Sequence, residues 1–371
     1  MFFRMKISAS LRDWIVAVAA TVIGLLLSTL VIRGVLSFMA YLNADRGDFE
    51  YTDIYERVAE RRSVAVLSDE VVIVSVDGCS RSEIADVIDA VSFMSPSAVG
   101  LDLFFTYPSE DGSDVASALS SCDNVVLPVA VGISDSYSFF DGDFEAEYAA
   151  VNMLTSSKQE VVREYSTLFR SDTAACPSMA YALVSKAGYD VSKPNSRAKK
   201  IWYPSVEFDV IGADEIVGAD GFPYLEASDR IEGKIVLLGV VNDLSDVFRT
   251  PVDDQMPGVL IHAHIIDTII NGRDVKAVSG FWNLFIAFVV CVLFLRLAIS
   301  MKEWLDDIGD MMMSLAQLLL IYLFLVLGAN LYVRHMFYVD FSVTVVILGL
   351  SMPVMNVVKG FMYLYSKRFG K

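Results

Sequence analysis

Apolar residues along this chain follow two unlike patterns. Near the N-terminus and through the C-terminal quarter they run almost unbroken; between, they come in short bursts separated by polar and acidic residues. Four unbroken stretches approach the roughly 20 residues that cross a hydrocarbon core. They cover about 14–38, 281–299, 312–333 and 341–358. The first is longer than the ~7–15 apolar residues of a signal peptide, and no small-x-small cleavage site follows it. It reads as an uncleaved anchor.

The bursts between have the lengths of strands and helices. Val71–Val76 is a β-branched run, as a strand buried on both faces requires. Ser80 and Glu83 then form an S-x-x-E capping box, which predicts a helix start. Ile84, Val87, Ile88 and Val91 repeat at helical spacing, and the helix should stop near Met94, before Pro96. Ala98–Phe104 predicts a second strand. Val115, Ala118, Leu119 and Cys122 mark a second helix, and Val125–Val131 a third strand. Strand, helix, strand, helix, strand implies a parallel sheet with right-handed crossovers. Residues 132–150 are acidic and aromatic and predict an exposed excursion. Further strands are expected near 149–154, 162–169, 200–203 and 235–241. Further helices are expected at 177–187 and 258–270, closed by Gly188 and by Asn271-Gly272. The fold class is therefore an α/β ectodomain, its largely parallel sheet flanked by helices, over residues 39–280, plus four transmembrane helices.

Composition supports this division. The chain is 54% hydrophobic, and its mean hydropathy is +0.50, too high for an ordinary soluble protein. Charge orients it. Arg4, Lys6 and Arg12 precede the first span, Arg296 and Lys302 lie between the second and third, and Lys359, Lys367, Arg368 and Lys371 follow the fourth. The other side offers Arg33 and Arg334 close to the membrane. The positive-inside rule then puts residues 1–13, the 300–310 link and the 359–371 tail in the cytoplasm. The ectodomain faces the periplasm or the outside of the cell, from a cytoplasmic (inner) membrane. Between Ala40 and Ser279 lie 18 basic and 40 acidic residues, a net −22, within a chain of net −17. Such a surface repels nucleic acid, which is excluded as a partner.

Candidate chemistry is sparse. There is no G-x-S-x-G elbow, P-loop, G-x-G-x-x-G or H-E-x-x-H, and neither catalysis nor a cofactor or metal is expected. Cys79, Cys122 and Cys176 lie in the ectodomain and Cys291 in a span. They read as small buried thiols, with a Cys79–Cys122 bridge as the alternative. His262 and His264 sit two apart on a helix and so point to nearly opposite sides, against a shared metal. His262 reads as a core histidine. Asp77 and Asp102 fall at the C-terminal ends of two strands expected to be neighbours. That is the edge where ligands bind α/β sheets. Asp246, Arg249 and Thr250 follow the 235–241 strand and belong to the same edge. These five are the candidate ligand residues, with Arg249 as an anion clamp. The plainer reading is an Asp–Arg network that pins loops.

Several blocks resemble the type-two CHASE domain, an extracellular sensory module. They are Gly100-Leu101-Asp102-Leu103-Phe104-Phe105, Val161-Val162-Arg163 and Gly233-Lys234-Ile235-Val236-Leu237-Leu238-Gly239. The fourth is Asp246…Thr250-Pro251…Met256-Pro257-Gly258-Val259 with His262-Ala263. The sequence departs from the family pattern at Ser75 and at Ser156-Ser157-Lys158-Gln159-Glu160. The resemblance implies a sensory or regulatory module that binds a small ligand or partner outside. As no cyclase or kinase block follows the last span, the expected form is stand-alone, signalling through a separate membrane or cytoplasmic protein; a homo-oligomer is compatible with this. The alternative is a structural docking subunit of an envelope complex.

Overall fold

The computed structural model describes residues 9–42, 50–62, 64–105, 112–132, 146–155, 161–171, 175–218 and 221–369. The chain divides into two units, Glu56–Val275 and the remainder, Met1–Tyr55 with Lys276–Lys371.

The Glu56–Val275 unit is built on one six-stranded sheet. Its strands are β1 (Val66–Ser75), β2 (Ala98–Asp102), β3 (Val125–Val129), β4 (Glu147–Ala150), β5 (Val206–Gly212) and β6 (Ile235–Gly239). The order is β4-β3-β2-β6-β1-β5, and every neighbouring pair is parallel. Alternate residues of β1 feed two cores. Val72 and Val74 join Val99, Leu101, Val236 and Leu238 on one face; Val71 and Ile73 join Ala98, Ile235 and Leu237 on the other. Both faces are dry, which is why these strands read as continuous β-branched runs rather than alternating ones. Helices Arg81–Phe93 and Gly112–Ser120 cover the first face, and helices Met179–Lys186 and Gly258–Ile270 the second. The capping box forms as the sequence predicts: Ser80 accepts from the Glu83 N–H, and the Glu83 carboxylate accepts from the Ser80 N–H at 2.7 Å. Gly100 allows the closest packing, since a Cβ there would lie 2.6 Å from Leu183 Cδ1.

Three expectations need correction. β1 and β2 are not neighbours, because β6 occupies the slot between them. Apolar patterning reports how buried a strand is, not what lies beside it. Residues 206–212 were not expected to be a strand. They form edge strand β5, whose half-exposed pattern reflects having a single partner. The expected 162–169 strand is only two fragments, Glu164–Tyr165 and Leu168–Arg170, each in a two-stranded ribbon. Most of the 132–150 excursion, and Ser156–Glu160, lie outside the described residues. All four cysteines are free thiols.

Among its described residues the other unit holds three helices long and apolar enough to cross a membrane, within Ala9–Leu42, Gly280–His335 and Ser342–Phe369. The expected second and third spans both fall in the 56-residue Gly280–His335 helix. A straight helix of that length would separate its ends by roughly 80 Å. Instead, Lys276–Ala277 pairs with Phe337–Tyr338 across its two ends. The reversal is at Asp306, where φ is 51° and ψ is −126°. Around it, the Lys302 ammonium bonds the Asp310 carboxylate, and Gly309 lets the second arm close on the Met301 backbone. Small residues, Ala17, Ala20, Ala287 and Ala298, line the bundle interior, where helices approach closely. Leucines face outwards: Leu26, Leu30 and Leu318 are each about two-thirds exposed, as a lipid-facing surface requires. Inside the last helix, Pro353 leaves the Gly349 carbonyl without its helical donor. The Gln317 side-chain amide of the neighbouring arm donates to that carbonyl at 3.2 Å and to Leu348 at 2.7 Å.

Candidate functional site at the C-terminal sheet edge

The last residues of the three central strands stand side by side: Ser75 of β1 pairs with Gly239 of β6, which pairs with Asp102 of β2. The helices that follow β1 and β2 cover one face of the sheet, and the helix that follows β6 covers the other. The chain therefore leaves in opposite directions on each flank of β6. Such a divergence opens a crevice beyond the strand ends, the usual ligand position in open α/β sheets.

One flank is closed from within. Asp77 accepts hydrogen bonds from Ser75 Oγ (2.5 Å), the Val241 N–H (3.2 Å), the Asn242 N–H (3.1 Å) and Asn242 Nδ2 (2.8 Å). Burial would raise its pKa, but these donors outweigh burial and hold the carboxyl below the usual range. Asp77 thus ties the β1 end to the β6 loop.

The other flank carries Asp102 and Asp246. Gly239 lets the β6 end pass close to Asp102, since a Cβ there would lie 3.5 Å from Asp102 Cβ. A short ribbon, Val247–Phe248 against Met256–Pro257, returns the chain so that Asp246 sits over the start of the Gly258–Ile270 helix. The Gly258 N–H donates to the Asp246 carbonyl at 3.0 Å, and a Cβ on Gly258 would lie 2.7 Å from the Asp246 carboxylate. Among the described residues, no hydrogen bond or ion pair reaches either carboxylate. Burial pushes the Asp102 carboxyl up to about 6. Asp246 keeps an exposed outer side, yet burial of its inner side, and then the Asp102 charge, raise it also to about 6.

One helical turn after Gly258 lies His262. It is buried, its ring bonds the Val151 backbone, and among the described residues its Nδ1 has no partner. Burial lowers it to about 4, against the pull of Asp246, so it is neutral at pH 7. His264 points elsewhere, packed with Tyr203 (5.0 Å) and Phe208 (4.9 Å). The two-residue spacing anticipated that separation. It gave no sign that His262 stands near Asp246, which depends on the hairpin between them.

Arg249 and Thr250 are placed differently. The Arg249 carbonyl accepts from the Val162 N–H at 2.7 Å, joining the loop to the Val161-Val162-Arg163 segment. Thr250 is buried, and its hydroxyl works within its own turn. It donates to the Asp253 carbonyl and accepts from the Asp253 N–H, both at 3.0 Å. Among the described residues, no group of three or more His, Cys, Asp or Glu is arranged to hold a metal.

The CHASE2 domain family model matches residues 19–298, most of the chain and all of this edge. The chain belongs to the CHASE2 family. No curated protein and no solved structure matches it. CHASE2 domains are extracellular sensory domains, and the candidate membrane helices of this member fit that role. The CHASE2 match also takes in most of the first membrane-length helix and the start of the Gly280–His335 helix.

Proposed function

We propose that this CHASE2 protein is a membrane-anchored sensor that binds a small ligand at the Asp102–Asp246 flank and passes its state to a separate protein. One observation carries the site: two carboxylates that no described residue reaches by a hydrogen bond or ion pair share a sheet edge at a point where the chain diverges. Neighbouring Asp77 and Thr250 have their partners within the protein. Two acids held near neutrality, over a neutral histidine, suit a ligand that donates hydrogen bonds or carries positive charge, such as an amine or guanidine. The proposal is recognition, not catalysis.

We read the bundle as four crossings, with the sensory domain outside the cytoplasmic membrane. Each arm of the Gly280–His335 helix is long enough for the roughly 30 Å hydrocarbon core. Arg12, Lys302 and Lys359 line one cleft, so the start of the first helix, the Asp306 reversal and the end of the last helix share one end of the bundle. The positive-inside rule makes that end cytoplasmic. Alkaline phosphatase fusions test this. Activity is expected from a fusion within the sensory domain and none from a C-terminal fusion; the reverse would refute the arrangement.

A further inference from the structure

The ligand loop and the point where the chain leaves the sensory unit are joined by a short segment, residues 161–165. At its start, Val161 bridges Arg249 in parallel, and the Val162 N–H donates to the Arg249 carbonyl at 2.7 Å. Arg249 stands three residues after Asp246, so the segment is hydrogen-bonded to the loop that carries that carboxylate. Its middle is held by the core. The buried Tyr203 hydroxyl donates to the Val162 carbonyl at 2.9 Å, and the Ile201 N–H donates to the Arg163 carbonyl at 2.9 Å. At its end, Tyr165 pairs with Lys199 in a ribbon, and both side chains reach Asp274. The Tyr165 hydroxyl donates to one carboxylate oxygen at 3.2 Å, and the Lys199 ammonium donates to the other at 2.6 Å. Burial, and then the Asp274 charge, raise the Tyr165 pKa, so the hydroxyl stays a donor at physiological pH. Asp274 is the penultimate residue of the Glu56–Val275 unit, and the Gly280–His335 helix begins six residues further on. Glu164, Tyr165, Ser166, His262 and Ile265 line a cleft of about 10 Å³, room for roughly one water. The segment is therefore not fully packed against the Gly258–Ile270 helix there.

We infer that residues 161–165 act as a relay between the ligand loop and the exit of the sensory unit, with the Tyr165–Asp274 contact as its output. The inference rests on the proposed ligand reading only in taking the Asp246 loop as its input. A ligand that draws on Asp246 shifts the loop, and the Arg249–Val162 bond passes that shift to the segment. Tyr165 then tightens or releases its hold on Asp274, just before the chain leaves the unit. Coupling of this kind is reciprocal, so loosening the exit also loosens the loop. Residues with no shared partner otherwise behave independently.

Reciprocity allows a test without any ligand: hydrogen exchange of the full chain in a neutral detergent, read by mass spectrometry. Tyr165→Phe removes the hydroxyl and keeps the ring. It is expected to speed exchange about fivefold, the loss of one net hydrogen bond, at residues 273–275. The peptides carrying Val162 and residues 246–250 should speed up with it. Helix Arg81–Phe93, which packs on the other face of the sheet, should stay within about twofold of wild type. Asp274→Asn, which weakens the same contact from its other side, should give the same pattern. Faster exchange confined to residues 273–275 would make Tyr165 a local pin and overturn the relay. An equal rise in Arg81–Phe93 would mean general destabilisation and would overturn it too, as would no change anywhere. If Tyr165→Phe fails to fold, Asp274→Asn decides by the same criteria. Because no ligand is added, a failed search for an amine ligand would leave this result standing, and a failed relay would leave the ligand site standing.

Discussion

Asp77 holds Asn242 twice, taking the backbone N–H at 3.1 Å and the side-chain amide at 2.8 Å. The two residues lie 165 positions apart. This pair fastens the first strand's exit to the loop after the last strand. It makes one flank of β6 a structural joint and leaves the other, with Asp102 and Asp246, free of such ties.

Asp77→Ala should therefore destabilise without touching ligand recognition. It removes the acceptor of two backbone N–H groups and a side-chain amide. Water can reach some of these, so the expected loss is about 1–2 kcal/mol. Denaturant unfolding of the full chain measures it. An unchanged midpoint would mean the joint is dispensable.

Asp102→Asn should act in the opposite direction, and pH separates the two. The Asp102 carboxyl titrates near 6 in the fold and near its ordinary 3.8 unfolded. Below about pH 4 it is protonated in both states and carries no penalty. As pH rises from about 4 to about 6 the unfolded chain ionises this carboxyl while the folded state resists, so stability is lost across that window and the loss is complete above it. At pH 7 the Asn variant should be more stable, by up to about 3 kcal/mol. The advantage should vanish near pH 4. His262 runs the other way: its neutral form favours the fold above pH 6.5, and that contribution is lost as pH falls towards about 4. The informative quantity is the variant-minus-wild-type difference across pH, because His262 is common to both chains. A constant difference would contradict the assignment.

In the membrane unit, Gln317→Leu should cost about 1 kcal/mol, because the Gly349 carbonyl loses its donor. With Pro353→Ala already present, the new N–H satisfies that carbonyl and the same change should cost less. A double-mutant cycle of thermal midpoints in detergent reads this coupling. Additive effects would show that Gln317 does not compensate for the proline.

Much of this was legible in the chain. The β-branched runs at 71–76 and 235–241, the capping box at Ser80–Glu83 and the stop before Pro96 are local signals, and the fold follows them. The slot taken by β6 was not legible, since burial patterns carry no information about neighbours. Strand β5 was missed because an edge strand has a weak, mixed pattern. At the site, placing Asp77, Asp102 and Asp246 on one edge needed only the rule that loops follow strand ends. Which carboxylates are free needed the hairpin and the register. Asp77 and Asp102 occupy equivalent sequence positions, yet only Asp77 faces the exposed amides of the β6 loop.

The central claim is that Asp102 and Asp246 form a recognition site for a donor-rich or cationic ligand. A thermal-shift screen of the full chain at pH 7.5 with small amines and guanidines, alongside a matched set of carboxylates and phosphates, tests it most directly. The account predicts that at least one cationic compound raises the wild-type midpoint, and that Asp102→Asn and Asp246→Asn abolish the shift while still unfolding cooperatively. Stabilisation by anions alone, lost in Arg249→Ala and kept in both Asp variants, would contradict it.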